Sequence, residues 1–407
     1  MVLLFAIAFA YPANERTSYG ALALAFLGLS STLPTLASAF FSGALADRYD
    51  RASLMRTVNL VSLIAAAGLA SDFVFLPSDR VALPGPAGFY LPLWVVLLYP
   101  GWAVVAATTT LFRPAFNASV PRLVPANDLA SANGLIYATA AALSAGASFG
   151  VGIVLEFAAP AYALGVAFLL FFGTQVALLF VRADLSVSRR GPVRSLSREA
   201  TEGYGYLARR RGLLQLTIAA LVTNFLSAVA LVELALYVAS WLDLSQGFWY
   251  GAIVGVSSIG VAVGFVVAPH LHFEPRAGRA IIVFTLVMGL AILALGLVRS
   301  VWLALPIVFV YGLMPGMITT VFLSTIQATV PDETMGRVFS ADEVGSMALI
   351  PVGQYTGGIL TVSVGVQGTY LDAGGALVVF GLVIALAFGS MRRLGYRPGE
   401  TQPPEKR

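Results

Sequence analysis

The sequence predicts an all-α membrane protein of about twelve spans in two parallel six-helix bundles. Three observations carry that prediction. The 407 residues are 58% hydrophobic and only 11% charged, too little polar surface to cover a water-soluble globule. Long apolar stretches alternate with short charged loops, and the basic residues gather on every second loop, the pattern of a chain threaded through a bilayer.

Taken in order, charge-poor apolar stretches fall at about 1–12, 18–46, 54–76, 91–112, 129–155 and 160–181, then at about 213–242, 247–269, 280–298, 301–329, 338–364 and 373–391. A crossing needs about 20 residues at about 1.5 Å each. Every stretch but the first meets that length, and the first supplies about half a crossing. The expected organisation is an N-terminal bundle over 1–182, a linker over 183–212, a C-terminal bundle over 213–391 and a tail over 392–407. Within the linker, Ser197 to Arg211 reads as a surface helix whose Tyr204 and Leu207 face lipid headgroups, with a solvated linker as the alternative. The tail is basic and Pro-rich and is expected to be unstructured.

Orientation follows from charge. With the linker taken as cytoplasmic, 21 of the 24 Lys and Arg lie on that side, and only Arg16, Arg80 and Arg299 lie on the other. The linker and the C-terminus are therefore expected in the cytoplasm, with the chain multi-pass in the cell membrane. The pI of about 9.4 reflects this topology and implies no nucleic-acid partner. There is no Cys, and the two His, His270 and His272, share one short loop. No metal site, redox chemistry or cofactor is implied. Forty Gly and 21 Pro suit closely packed and kinked membrane helices. Residues 1–12 lack the basic start and cleavage-type end of a signal peptide.

The halves are related. Asn117-Ala118-Ser119-Val120-Pro121 after the fourth span matches Gln327-Ala328-Thr329-Val330-Pro331 after the tenth, an offset of 210 residues. Gly150-Val151-Gly152-Ile153-Val154-Leu155 in the fifth span echoes Gly357-Gly358-Ile359-Leu360 in the eleventh, an offset of 207. Two matches in order, at equivalent places, indicate parallel repeats about an axis along the membrane normal. Gly43 in the second span corresponds to Gly264 in the eighth. That register puts the counterpart of Leu213 about eight residues before Met1, so the first span is expected to be truncated in this sequence.

Between the second and third spans runs Gly43-Ala44-Leu45-Ala46-Asp47-Arg48-Tyr49-Asp50-Arg51. It resembles the signature loop of the major facilitator superfamily, with Asp50 where the family has its later Gly. Phe112-Arg113-Pro114-Ala115, Val120 through Pro125, Ala132-Asn133-Gly134 and Gln327 through Gly336-Arg337-Val338 extend the resemblance over nearly the whole chain, toward the enterobactin-exporter-like and macrolide-efflux-like subgroup. The span-five Gly-Pro of antiporters is Gly146-Ala147 here. The resemblance implies the major facilitator fold and a conformational-switch loop made of Gly43, Asp47, Arg48 and Arg51. It also implies that Asp47 meets the N-terminus of span eleven, near Arg337, in the outward-facing state.

Glu233 reads as the only charged side chain well inside a span, and it is the candidate for proton coupling, with a solvated position near the outer interface as the alternative. Cavity candidates at the midplane of the central helices are Trp102, Tyr137, Asn224, Tyr311, Met314 and Gln354. Helix packing is the competing role for each. Walls of aromatic and Met side chains with few polar groups suit bulky amphipathic molecules better than sugars. Pro100, Pro315 and Pro351 are expected to kink helices around this cavity.

The function expected from these residues and the resemblance is secondary active transport: a monomer that exports a drug, siderophore or similar amphipath by alternating access, with protons as the presumed drive. Metabolite uptake or lysolipid movement is the rival within transport. A membrane-embedded enzyme or sensor is the rival outside it, and the spans lack the polar clusters that such chemistry needs.

Overall fold

The computed structural model describes residues 19–75, 80–82, 90–123, 129–157, 160–181, 204–244, 247–271, 273, 276–330, 338, 341–342 and 344–395. The first half contains α1 (Ala21–Arg48), α2 (Arg51–Phe75), α3 (Leu93–Leu123), α4 (Leu129–Phe157) and α5 (Pro160–Leu179). The second contains α6 (Arg211–Leu231), α7 (Gly247–Val267), α8 (Ala277–Leu297), α9 (Val301–Thr329) and the helical run Ile350–Ala387. The stretch 1–12 and its expected truncation lie outside the described residues.

Nine of these segments are long and apolar enough to cross a bilayer. One of the nine contains two helices. Gly365 has a φ of 75°, a left-handed conformation that glycine adopts without steric cost. The Thr361 and Thr369 hydroxyls meet at 2.9 Å, whereas eight residues of straight helix would separate them by about 12 Å. The run therefore folds back into α10 (350–364) and α11 (366–387). Counting these two, and α4 with its 29 residues, gives eleven spans among the described residues. Residues 344–347 are already helical, Ala348 and Leu349 form a turn and the helix resumes at Ile350, so the span is interrupted beside Pro351, where a kink is expected.

Packing repeats between the halves. In the first, α1 lies on α3, α3 on α2 and α2 on α5; in the second, α7 lies on α9, α9 on α8 and α8 on α11. The loop between α2 and α3 holds two short strands that the hydropathy pattern does not predict, β1 (Arg80–Ala82) and β2 (Tyr90–Pro92), paired antiparallel with Arg80 opposite Pro92.

At the end of the linker, residues 204–209 are helical. Leu207 is only 2% exposed and packs with Leu213, Ile326, Val330, Val338 and Ala341. It faces protein and not lipid headgroups, which corrects the expectation for Leu207, while Tyr204 is 38% exposed: the apolar ends of α9 and of the segment before α10 offer Leu207 a drier contact than the membrane interface.

Candidate functional site

Chain direction alternates from helix to helix, so α1 and α7 start, and α4, α6 and α10 finish, at the end of the molecule far from the linker. The two halves meet there at two crossings. At the first, α4 crosses α7: a Cβ on Gly152 would lie 2.8 Å from Gly251 Cα, and one on Gly247 would lie 2.6 Å from Leu155 Cβ. At the second, α1 crosses α10: a Cβ on Gly358 would lie 2.6 Å from Ala25 Cβ. Gly152 and Gly358 lie within the two matching segments of the internal repeat, one position apart in its register. Backbones can approach this closely only where side chains are absent.

Below the crossings, α1, α3, α6 and α10 enclose a cavity of about 320 Å³. Trp102, Asn224 and Gln354 line it, together with Ser31, Ser227 and aliphatic side chains. No described lining residue carries a charge. Two hydrogen bonds fix its polar edge. The Thr32 hydroxyl donates to Gln354 Oε1 at 2.9 Å and bridges the halves; Asn224 Nδ2 donates to the Ser346 carbonyl at 3.0 Å and ties α6 to the segment leading into α10. Gly28 gives Gln354 its room, since a Cβ there would lie 2.7 Å from Gln354 Cδ.

Three of the six cavity candidates thus come together. Tyr311 and Met314 do not line this cavity: both are buried in the core of the second half. Tyr311 instead borders a void of about 20 Å³ beside Tyr370. The Tyr137 side chain lies outside the described residues.

Glu233 does not line the cavity either, although its neighbour Val232 does. The end of α6 breaks at Val232 and Glu233, continues as a short turn over Leu234–Leu236 and widens into a π-helix over Tyr237–Trp241, a local irregularity frequent at functional sites. Glu233 is 0% exposed, and neither carboxyl oxygen has a hydrogen-bond partner among the described residues. Tyr370 lies within electrostatic reach of Glu233 and of Tyr237, Tyr250 and Tyr311, and it stacks on Tyr237 with ring centroids 4.7 Å apart. The solvated position that was the alternative for Glu233 is not the one observed.

Glu233 has company as a buried acid, at the mouth of a span and not in its interior. Asp342, at the linker end of span eleven, is 5% exposed and accepts a short hydrogen bond from the Thr217 hydroxyl. Burial, and then the nearby Asp342 carboxylate, push the Tyr204 phenol above its ordinary value. Asp342 is inconspicuous in the sequence because it stands one turn inside a helix mouth, where a charge is usually solvated.

In the signature loop, Gly43, Asp47 and Arg48 fall in the last turns of α1 and Arg51 opens α2. The side chains of Asp47 and Arg48, and the meeting of Asp47 with span eleven, lie outside the described residues. Asp50 caps α2, its Oδ1 accepting the Ser53 N–H at 2.7 Å, the usual service of an acidic residue at a helix start. The residue that departs from the family pattern is therefore a helix cap. Arg56, also on the linker side, donates to the Leu178 and Val181 carbonyls, both at 3.0 Å, and closes the C-terminus of α5.

Comparisons with known proteins agree with this architecture. The family model described as Major Facilitator Superfamily matches residues 1–347. The enterobactin exporter EntS of Citrobacter koseri is 25% identical over 393 residues, covering 91% of this chain and 85% of that one. The uncharacterized MFS-type transporter YfiS of Bacillus subtilis is 25% identical over 380 residues, covering 88% and 83%. Among solved structures, the inward-open xylose transporter XylE from E. coli superposes with a TM-score of 0.68 at 12% identity, over 98% of this chain and 96% of that one.

Proposed function

The chain belongs to the Major Facilitator Superfamily, a family of transporters and not of enzymes, and we propose that it is a secondary active exporter of a small amphipathic molecule, driven by protons. The observation that carries this reading is the cavity between the halves. Its wall is mostly aliphatic, with Trp102 on one side and the amides of Asn224 and Gln354 on another, a lining that fits an apolar body bearing a few hydrogen-bonding groups. A sugar would need a fixed polar partner for each hydroxyl. The likeness to enterobactin exporters over nine-tenths of the chain favours outward movement and extends the candidate cargo to siderophores.

In this reading the halves rock about the cavity in alternation, the far crossings part when the linker side closes, and Asp47 steadies the closed linker side. The linker and the C-terminus lie in the cytoplasm. Glu233 carries the proton. A carboxylate stripped of water and of partners is costly in a bilayer, and its place at the broken end of α6 links its charge to the helix that also supplies Asn224.

The test is efflux from a host lacking its own exporters, using amphipathic drugs and a catecholate siderophore, with Glu233→Gln and Asp47→Asn alongside the unaltered protein. Exclusion of at least one substrate is expected. In Glu233→Gln, export should fall at least tenfold and lose its dependence on external pH, while exchange of labelled for unlabelled substrate persists. Accumulation in place of exclusion would establish uptake, and an unchanged pH profile in Glu233→Gln would remove that residue from the proton path.

A further inference from the structure

A second cavity, of about 230 Å³, is lined by the first half alone, between α2, α3 and α5. Its wall is polar where a bundle interior is ordinarily apolar: Asn59 and Ser62 from α2, Thr108 and Thr109 from α3, and Thr174 from α5, with the rings of Phe112 and Phe171 beside them.

The hydrogen bonding gives this wall one character. Asn59 is 4% exposed, and its Nδ2 donates to both the Phe171 carbonyl at 3.0 Å and Gln175 Oε1 at 2.8 Å. Both amide protons are thereby used and the orientation of the amide is fixed. Its Oδ1, which has no hydrogen-bond partner among the described residues, is left for the cavity. The hydroxyls are committed in the same sense. Thr109 donates to the Val105 carbonyl at 2.8 Å and Thr174 to the Leu170 carbonyl at 2.9 Å. Ser62 and Thr108 lie 2.6 Å apart, and each has a carbonyl of its own helix within reach. A hydroxyl whose single proton is spent offers only lone pairs. The wall therefore accepts hydrogen bonds and has almost none to give.

We propose that this cavity binds the protonated amine of a small amphipathic organic cation. An ammonium group brings three donors and a positive charge, and it matches a wall of partly negative oxygens with two aromatic rings beside it. A carboxylate or phosphate finds no donor here. The space far exceeds one bare ion, so the amine arrives with an organic body. Thr109 and Thr174, both exposed, form the mouth. Thr109 stands seven residues beyond Trp102 on α3, about two turns or ~10 Å of rise toward the linker side, and no described residue lines both cavities.

The proposal is independent of the direction of transport and is tested by equilibrium binding to the full chain purified in detergent. The probe is radiolabelled 2-phenylethylammonium, with neutral 2-phenylethanol and anionic 3-phenylpropionate as competitors. Saturable binding is expected, displaced by unlabelled amine and at least tenfold less well by either competitor. Asn59→Ser, which removes the Oδ1 acceptor, should weaken it about tenfold. Thr174→Val, at the exposed mouth where folding is insensitive, should weaken it several-fold. Absence of saturable binding, equal competition by the alcohol, or binding that ignores both substitutions yet disappears in Gln354→Ala would each overturn the proposal, the last by moving the ligand to the main cavity.

Discussion

Gln354 is the residue on which the two halves and the cavity converge: it lines the cavity, accepts from Thr32 of the opposite half and fills the room left by Gly28. Gln354→Ala is expected to raise the KM for export about five- to tenfold, the worth of roughly one hydrogen bond of about 1 kcal/mol, with membrane insertion unchanged; a KM within a factor of two would exclude Gln354 from substrate contact. Asp50 allows a cleaner thermodynamic test. Asp50→Ala should cost about 1 kcal/mol of stability through the lost cap of α2, whereas Asp50→Gly should cost only a few tenths, both read from thermal unfolding in detergent. Equal losses would contradict the capping role. Trp102, Asn224 and Gln354 are legible in the sequence because a polar or indole group at the bilayer midplane stands out against an apolar helix. Tyr311 and Met314 mislead there because depth along a span says nothing about the face of the helix. In helices that are apolar all round, no amphipathic stripe marks the inward side. Asn59 is silent for a related reason: it is one polar residue among many, and its meaning comes from Gln175 and Phe171, more than a hundred residues away.

Among the elements, the paired glycines are the most informative. Gly152 against Gly251, and Gly358 against Ala25, bring α4 onto α7 and α1 onto α10 at one end of the molecule. Gly251→Val would place methyl groups inside the backbone of α4. The protein should still insert, because each half keeps its own packing, but closure at the far end should fail and export should fall at least tenfold. Normal export by this variant would show that the contact is incidental. Hydropathy and charge are enough to locate eleven spans, most of them within a few residues. They give less help where local geometry decides the boundary. The turn between the last two spans reads as a loop over about 365–372, yet the single left-handed Gly365 makes it. The π-helix at Tyr237–Trp241 leaves no trace in an apolar sequence, since it changes which carbonyl each N–H reaches without changing composition.

At the scale of the whole molecule, the proposed function has two repeat-related bundles alternating around a cavity, with the far crossings opening and closing in every cycle. The internal repeat and the signature loop carry this much in the sequence, and the crossings give it a place where it can be tested. The protein has no Cys, so an introduced pair has no competitor. Gly247 and Leu155 approach each other across α7 and α4, with an added Cβ on Gly247 only 2.6 Å from Leu155 Cβ, close enough that a small shift gives the ~3.8 Å Cβ separation of a disulfide. The most direct measurement is export by the Leu155→Cys/Gly247→Cys protein before oxidation, after oxidation and after reduction. Alternation predicts that the disulfide forms, that export stops while it is intact, and that reduction restores it; full export with the disulfide in place would contradict the claim.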